Sequence, residues 1–139
     1  MTTVGTEIGL DTSVAVPLLL KSHPDHAGVV SWLDGRRPPL CGHALAETYS
    51  VLTRLPGDAR LSATDAVRLM AQLDDPLLLG PGRGGHIPAM LAEAGVSGGA
   101  VYDGLVALAA AQHRVTLATR DARARRTYEA VGADVVVVG

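Results

Sequence analysis

Apolar residues along this chain fall into short unbroken runs separated by longer stretches of helical period. Glu7 to Leu10, Val115 to Ala118 and Val135 to Val138 lack strict alternation, which is the pattern of parallel strands covered on both faces. Pro39 to Gly42 and Leu77 to Leu79 read as two weaker strands. Thr12 and Ser13 are suited to cap a first helix through Leu20, with Pro17 near its start. His23-Pro24-Asp25 opens a second helix through about Asp34, and Ala44 to Leu55 forms a third, ended by Pro56-Gly57. Ser62 with Asp65 makes a capping box, Asp replacing Glu, for a helix through Leu73. Ile87 to Ala94, Val101 to Gln112 and Ala122 to Val131 complete the helices, and GPGRGG at 80–85 is loop. Strands alternating with helices predict a three-layer α/β/α sandwich around a mostly parallel sheet of about five short strands. The length of 139 residues fits a single domain over 1–139. Ligands in such sheets sit beyond the carboxyl ends of the strands, so residues just after a strand carry the chemical interest.

Composition narrows the function. A hydrophobic fraction of 47% excludes a disordered chain. Cys41 is alone and cannot pair within the chain, which suits a reducing cytoplasm. The stretch MTTVGTEIGL has neither the basic nor the long apolar region of a signal peptide. No apolar run reaches the roughly 18 residues of a membrane span. With 14 acids against 12 bases the net charge is −2, unlike a protein that coats nucleic acid. Three Tyr, one Trp and no Phe are too few for an extended base-stacking surface. Contact with nucleic acid would be local and brief, as for an enzyme.

Four carboxylates stand out. Asp11 directly follows the first strand, and Asp121 follows VTLA by three residues. For either one alone, an N-cap is the ordinary role. Asp103 is the only charged side chain between Gly98 and His113. It lies near the first turn of a helix apolar on all sides, hence buried. The helix N-terminus offers about 0.3–1 kcal/mol to that charge, less than the several kcal/mol that desolvation costs. Asp103 therefore needs a metal ion, an Arg partner or an opening to water. Glu47 flanks an inward stripe of Leu45, Thr48, Tyr49 and Leu52, where a solvated helix edge is the plain alternative. If the fold gathers them, four carboxylates at a strand edge make an oxygen site for a hard divalent ion.

The segments LDTSVAV at 10–16, HALAETYSVLTRL at 43–55, VYDGLVALAA at 101–110 and TLATRD at 116–121 resemble, in order and character, a PIN domain. They are most similar to the VapC toxins of bacterial VapBC toxin–antitoxin pairs. The resemblance spans nearly the whole chain. It implies that Asp11, Glu47, Asp103 and Asp121 form an acidic quartet binding Mg²⁺ or Mn²⁺. It also implies endoribonuclease cleavage of structured RNA of the tRNA or rRNA type. Asp11, Asp103 and Asp121 would hold the main ion, and Glu47 would orient the attacking water or touch a second ion. Thr12 and Thr119 would hydrogen-bond these carboxylates. Arg83, Arg114 and Arg120 are candidates for phosphate contacts, with surface solvation as the alternative for each. A VapB-type antitoxin and a homodimer are the implied partners, and VAVPLLL at 14–20 and the helix of Val29, Val30, Trp32 and Leu33 are candidate surfaces or simply core. The chain departs from the family pattern in carrying Arg123, Arg125 and Arg126 where many relatives have a further acid. It also has Gly104 where Ala is more usual.

Other motifs are weaker. GPGRGG lacks the spacing of a P-loop, and no G-x-S-x-G is present. His23, His26, Cys41 and His43 lack zinc-finger spacing. A phosphoryl-transfer protein using Asp11 would ordinarily carry a second Asp two residues on, where this chain has Ser13. A catalytically inactive PIN-like binding module remains the alternative from a different class.

Overall fold

The computed structural model describes residues 7–139; the first six residues, part of the stretch read above for a leader, lie outside them. Three strands, β1 (Ile8–Leu10), β2 (Thr116–Thr119) and β3 (Asp134–Val137), form a parallel sheet in the order β1-β2-β3. Leu10 pairs with Ala118, and Ala118 with Val136. The two weaker strands expected at Pro39 to Gly42 and Leu77 to Leu79 shrink to single parallel bridges, Leu10 to Leu40 and Cys41 to Leu77. Proline explains this. Pro38, Pro39 and Pro76 have no N–H to donate, so a ladder cannot extend through them. The chain then turns at Gly42, where φ is +52° and a β-carbon would stand 2.7 Å from the Leu105 carbonyl oxygen. Only glycine fits both demands.

Helices flank the sheet, as the α/β pattern required. α1 (Thr12–Leu19) packs on β1 and β2 and touches α2 (His26–Leu33) and α3 (Ala44–Thr53), which in turn meets α4 (Ala63–Met70). α5 (Ile87–Glu93) lies on α6 (Val101–Gln112), which packs with α7 (Arg125–Val131) against β2 and β3. Residues 14–19 are buried, so most of the VAVPLLL stretch is core rather than a partner surface. α6 keeps the bounds read from the sequence. Ser62 accepts a hydrogen bond from the Asp65 N–H, the capping geometry expected. α7 starts later than Ala122 because Asp121 to Ala124 form a turn first. Leu10, Leu33, Leu52 and Leu117 are among the fully buried side chains at the centre of the core. Among the described residues, no helix is long and apolar enough to cross a membrane.

Candidate active site

β1 and β2 end side by side, and the residues that follow them define one edge. Asp11 occupies the N-cap position of α1, yet its side chain makes no capping bond. Instead its carboxylate, 4% exposed, accepts from the Ser13 hydroxyl at Oδ1 (2.6 Å) and from the Tyr128 hydroxyl at Oδ2 (2.8 Å). A buried carboxylate held by two hydroxyls is oriented and compensated, and the expected cap by Thr12 or Ser13 gives way to this arrangement. Ser13 is the junction of the edge. It accepts from the Arg120 N–H at 2.7 Å and lies 3.3 Å from the Thr119 hydroxyl.

Asp121 is fixed locally. Its N–H donates to Thr119 Oγ1 (3.0 Å), and its Oδ1 accepts from the Arg123 N–H (3.0 Å). Thr119 is fully buried and supports this turn through the Asp121 backbone N–H and the Ser13 hydroxyl, not through a carboxylate as expected. Asp121 thus closes the turn that precedes α7 while standing at the strand end.

Asp103 sits half-buried in the first turn of α6. Glu47 lies in the first turn of α3. Among the described residues, none of the ion pairs includes either side chain. Burial pushes the Asp103 carboxyl above the ordinary Asp range, and the charges of Asp121 and Asp11 push it further. Glu47 is exposed, yet partial burial still raises it, followed by the charge of Asp103 and, more weakly, of Asp11, while His43 pulls the other way. Acids from four separate segments thus meet at Asp103 and Glu47: Asp121 and Asp11 act on Asp103, and Asp103 and Asp11 act on Glu47. Among the described residues no Arg pairs with Asp103, so the field around it is acidic.

Thr12 ties the helices together. Its hydroxyl lies 3.0 Å from the buried Thr48 hydroxyl and 3.3 Å from the Ala44 carbonyl oxygen. The inward stripe of α3 is Ala44, Thr48 and Leu52, while Tyr49 points outward, correcting the stripe read from the sequence. Gly104 also finds its reason. A β-carbon there would meet Leu91 Cδ2 at 2.6 Å and Val96 Cγ1 at 3.2 Å, so an alanine would require the Leu91 side chain to shift.

The three arginines separate. Arg120 stands at this edge, with its guanidinium 2.8 Å from Asp25. Arg83 is beside Met90, close to Ala111 and Gln112 near the end of α6, about 13 Å along the helix from Asp103. Arg114 lies just past that same helix end, before β2 begins. Neither Arg83 nor Arg114 borders the acids. Ser13 and Tyr128, which hold Asp11, were missed in the sequence. Ser13 offered a weak signal in its place two residues after Asp11, and Tyr128 offered none.

The donor set suits a hard divalent ion in its chemistry, since every member supplies oxygen. Among the described residues, no three Asp, Glu, His or Cys side chains already stand close enough together to hold one. Burial raises Glu47 and Asp103 first and repulsion adds to it; a cation would relieve that repulsion.

A family model described as the PIN domain matches residues 8–130. Two curated proteins of Mycobacterium tuberculosis are similar over nearly their whole length. Ribonuclease VapC27 is 59% identical over 131 residues, covering 94% of this chain and 96% of that protein. Ribonuclease VapC40 is 38% identical over 133 residues, covering 94% and 98%. Among solved structures, FitAcB from Neisseria gonorrhoeae matches with a TM-score of 0.60 at 24% identity, covering 92% of this chain and 95% of that one. FitAB bound to an IR36 DNA fragment matches with a TM-score of 0.65, also at 24% identity, covering 94% of each chain. These structural matches bear on the fold.

Proposed function

The chain belongs to the PIN-domain family as a ribonuclease of the VapC toxin type, and from that premise we propose that it is a metal-dependent endoribonuclease cutting structured RNA of the tRNA or rRNA class. Asp11, Asp103 and Asp121 would hold a Mg²⁺ or Mn²⁺ ion. When bound, such an ion lowers the pKa of its water and offsets charge on the scissile phosphate. The chain supplies the rest. Ser13 and Tyr128 fix the Asp11 carboxylate, and Thr119 with the Arg123 N–H fixes Asp121. Glu47, whose proton affinity is raised, would orient the attacking water or touch a second ion. Arg120, once it leaves Asp25, and the exposed Arg123 beside Asp121 are arginines at this edge available to a phosphate.

The observation that carries this reading is the buried Asp11 carboxylate, which makes no helix cap and whose charge reaches Asp103 and Glu47. An acidic pocket is silenced by a cationic plug, so a VapB-type antitoxin presenting an Arg is the partner that fits. The protein would act in the cytoplasm as a single domain over 1–139, as a homodimer when paired with that antitoxin.

The test is cleavage of total cellular RNA by the purified protein with Mg²⁺ or Mn²⁺. EDTA should stop it. Asp11→Asn and Asp103→Asn should each cut at least about 100-fold more slowly, given that even partners of metal ligands commonly cost 10- to 100-fold. Full activity in either folded variant overturns the assignment.

A further inference from the structure

The chain faces a difficulty in gripping RNA. Its net charge is −2, and the edge that would meet the phosphate is lined by acids. An uncharged contact would hold the substrate without adding cations, and the fold supplies one. Tyr102 is 58% exposed and immediately precedes Asp103 in α6. Its ring centroid lies 5.1 Å from that of His43, with the planes tilted by 35°. His43 is the N-cap residue of α3, and its carbonyl accepts the Glu47 N–H at 3.1 Å. The two rings therefore bridge the helix starts that carry Asp103 and Glu47. The other aromatics are engaged or elsewhere. Tyr128 is buried on Asp11, and Trp32 lies under the Arg36 guanidinium. Tyr49 is two residues beyond Glu47, about 200° around α3.

We propose that Tyr102, braced by His43, is a stacking platform for one unpaired RNA base next to the scissile phosphate. The inference rests on the ribonuclease reading above and deepens it. An aromatic face accepts any base without hydrogen-bond readout. The tilt lets His43 fix the Tyr102 ring from one side while much of Tyr102 stays open. The platform requires a nucleotide already out of a helical stack, so it favours loops over duplex.

The experiment maps the cut phosphate on total cellular RNA, then uses a synthetic hairpin carrying that phosphate. The hairpin is made intact and with an abasic site at either flanking nucleotide. Wild type should lose about fivefold to a hundredfold in kcat/KM when the stacked base is removed, the scale measured for base–aromatic stacking. Tyr102→Ala should show that loss on the intact hairpin, as a raised KM with kcat little changed, and lose nothing further on the abasic one. Tyr102→Phe, which keeps the ring, should behave as wild type, and His43→Ala should fall between. Tyr102→Ala cutting both hairpins in the wild-type ratio would overturn the platform while leaving the ribonuclease reading intact. Failure of wild type to cut any cellular RNA would overturn both, and is told apart because no hairpin is then cut by any variant.

Discussion

The Tyr128 hydroxyl donates to Asp11 Oδ2 at 2.8 Å across 117 positions of sequence. Tyr128 is 2% exposed and Asp11 is 4% exposed. The contact links α7 to the carboxyl end of β1 and leaves both carboxylate oxygens of Asp11 with a hydroxyl partner. Burial, together with the neighbouring Asp11 charge and its hydrogen bond, pushes the Tyr128 phenol well above the ordinary tyrosine range, so it stays a donor at any physiological pH.

Tyr128→Phe keeps the ring and removes only that donor. The buried carboxylate then loses a hydrogen bond to a charged acceptor, worth about 1.5–3 kcal/mol. Urea unfolding should show a loss of that order. RNA cleavage should fall about 10- to 100-fold if Asp11 is a metal ligand, because its orientation is no longer fixed. A variant as stable and as active as wild type would show that the contact orients nothing.

The arginines should differ by position. Arg120 pairs with Asp25 on partly exposed side chains, so Arg120→Ala should change stability by no more than about 1 kcal/mol. If it also meets the substrate, its KM for RNA should rise. Arg83→Ala and Arg114→Ala lie at the far end of α6 and should cleave RNA as wild type does. A KM raised equally by all three would mean a substrate path that wraps the molecule.

Cys41 should be a silent thiol. It is fully buried, and burial, with the nearby Asp11 charge, pushes it up to about 12. The thiolate is the reactive form. Native protein should therefore resist iodoacetamide at pH 8, and labelling should appear only as the protein unfolds in urea. Rapid labelling of the folded protein would place Cys41 outside the core.

What the sequence made legible follows from where the physics is local. The bounds of α6 and the Ser62–Asp65 cap depend on neighbours within a few residues, and both hold. The order of strands and helices was also readable, because covered strands and amphipathic helices have different periods. The two lost strands failed for a local reason too, since three prolines remove the donors a ladder needs. Asp103 announced itself by its charge in apolar surroundings, and Asp11 and Asp121 by following strands. The hydroxyls that hold Asp11 did not, because Ser13 and Tyr128 look like ordinary residues until the fold closes. Tyr49 was misplaced by a wheel that could not know which way α3 would roll against α1.

Asp103 gives the sharpest test of the acidic edge. Burial and the charges of Asp121 and Asp11 raise its carboxyl in the folded state, and Glu47 is raised by burial and by Asp103. A group whose folded pKa is raised binds more protons folded than unfolded. Its contribution to stability is present in full below the unfolded value, about pH 4 for these groups, and is lost as pH rises through the folded value. At neutral pH both acids therefore cost stability to the metal-free protein. Asp103→Asn removes one such charge and relieves Glu47. The variant should melt close to wild type at low pH and above it near pH 7. Adding Mg²⁺ should stabilise wild type by RT ln(1 + [L]/Kd), and the variant much less, so the order narrows or inverts. If Asp103 were an ordinary acid at a helix start, Asn would instead lower stability by about 0.3–1 kcal/mol through the lost dipole interaction, with or without metal. Thermal melts of both proteins across this pH range, each with EDTA and with excess Mg²⁺, separate the two cases. An equal response to metal in wild type and variant would remove Asp103 from the ion site.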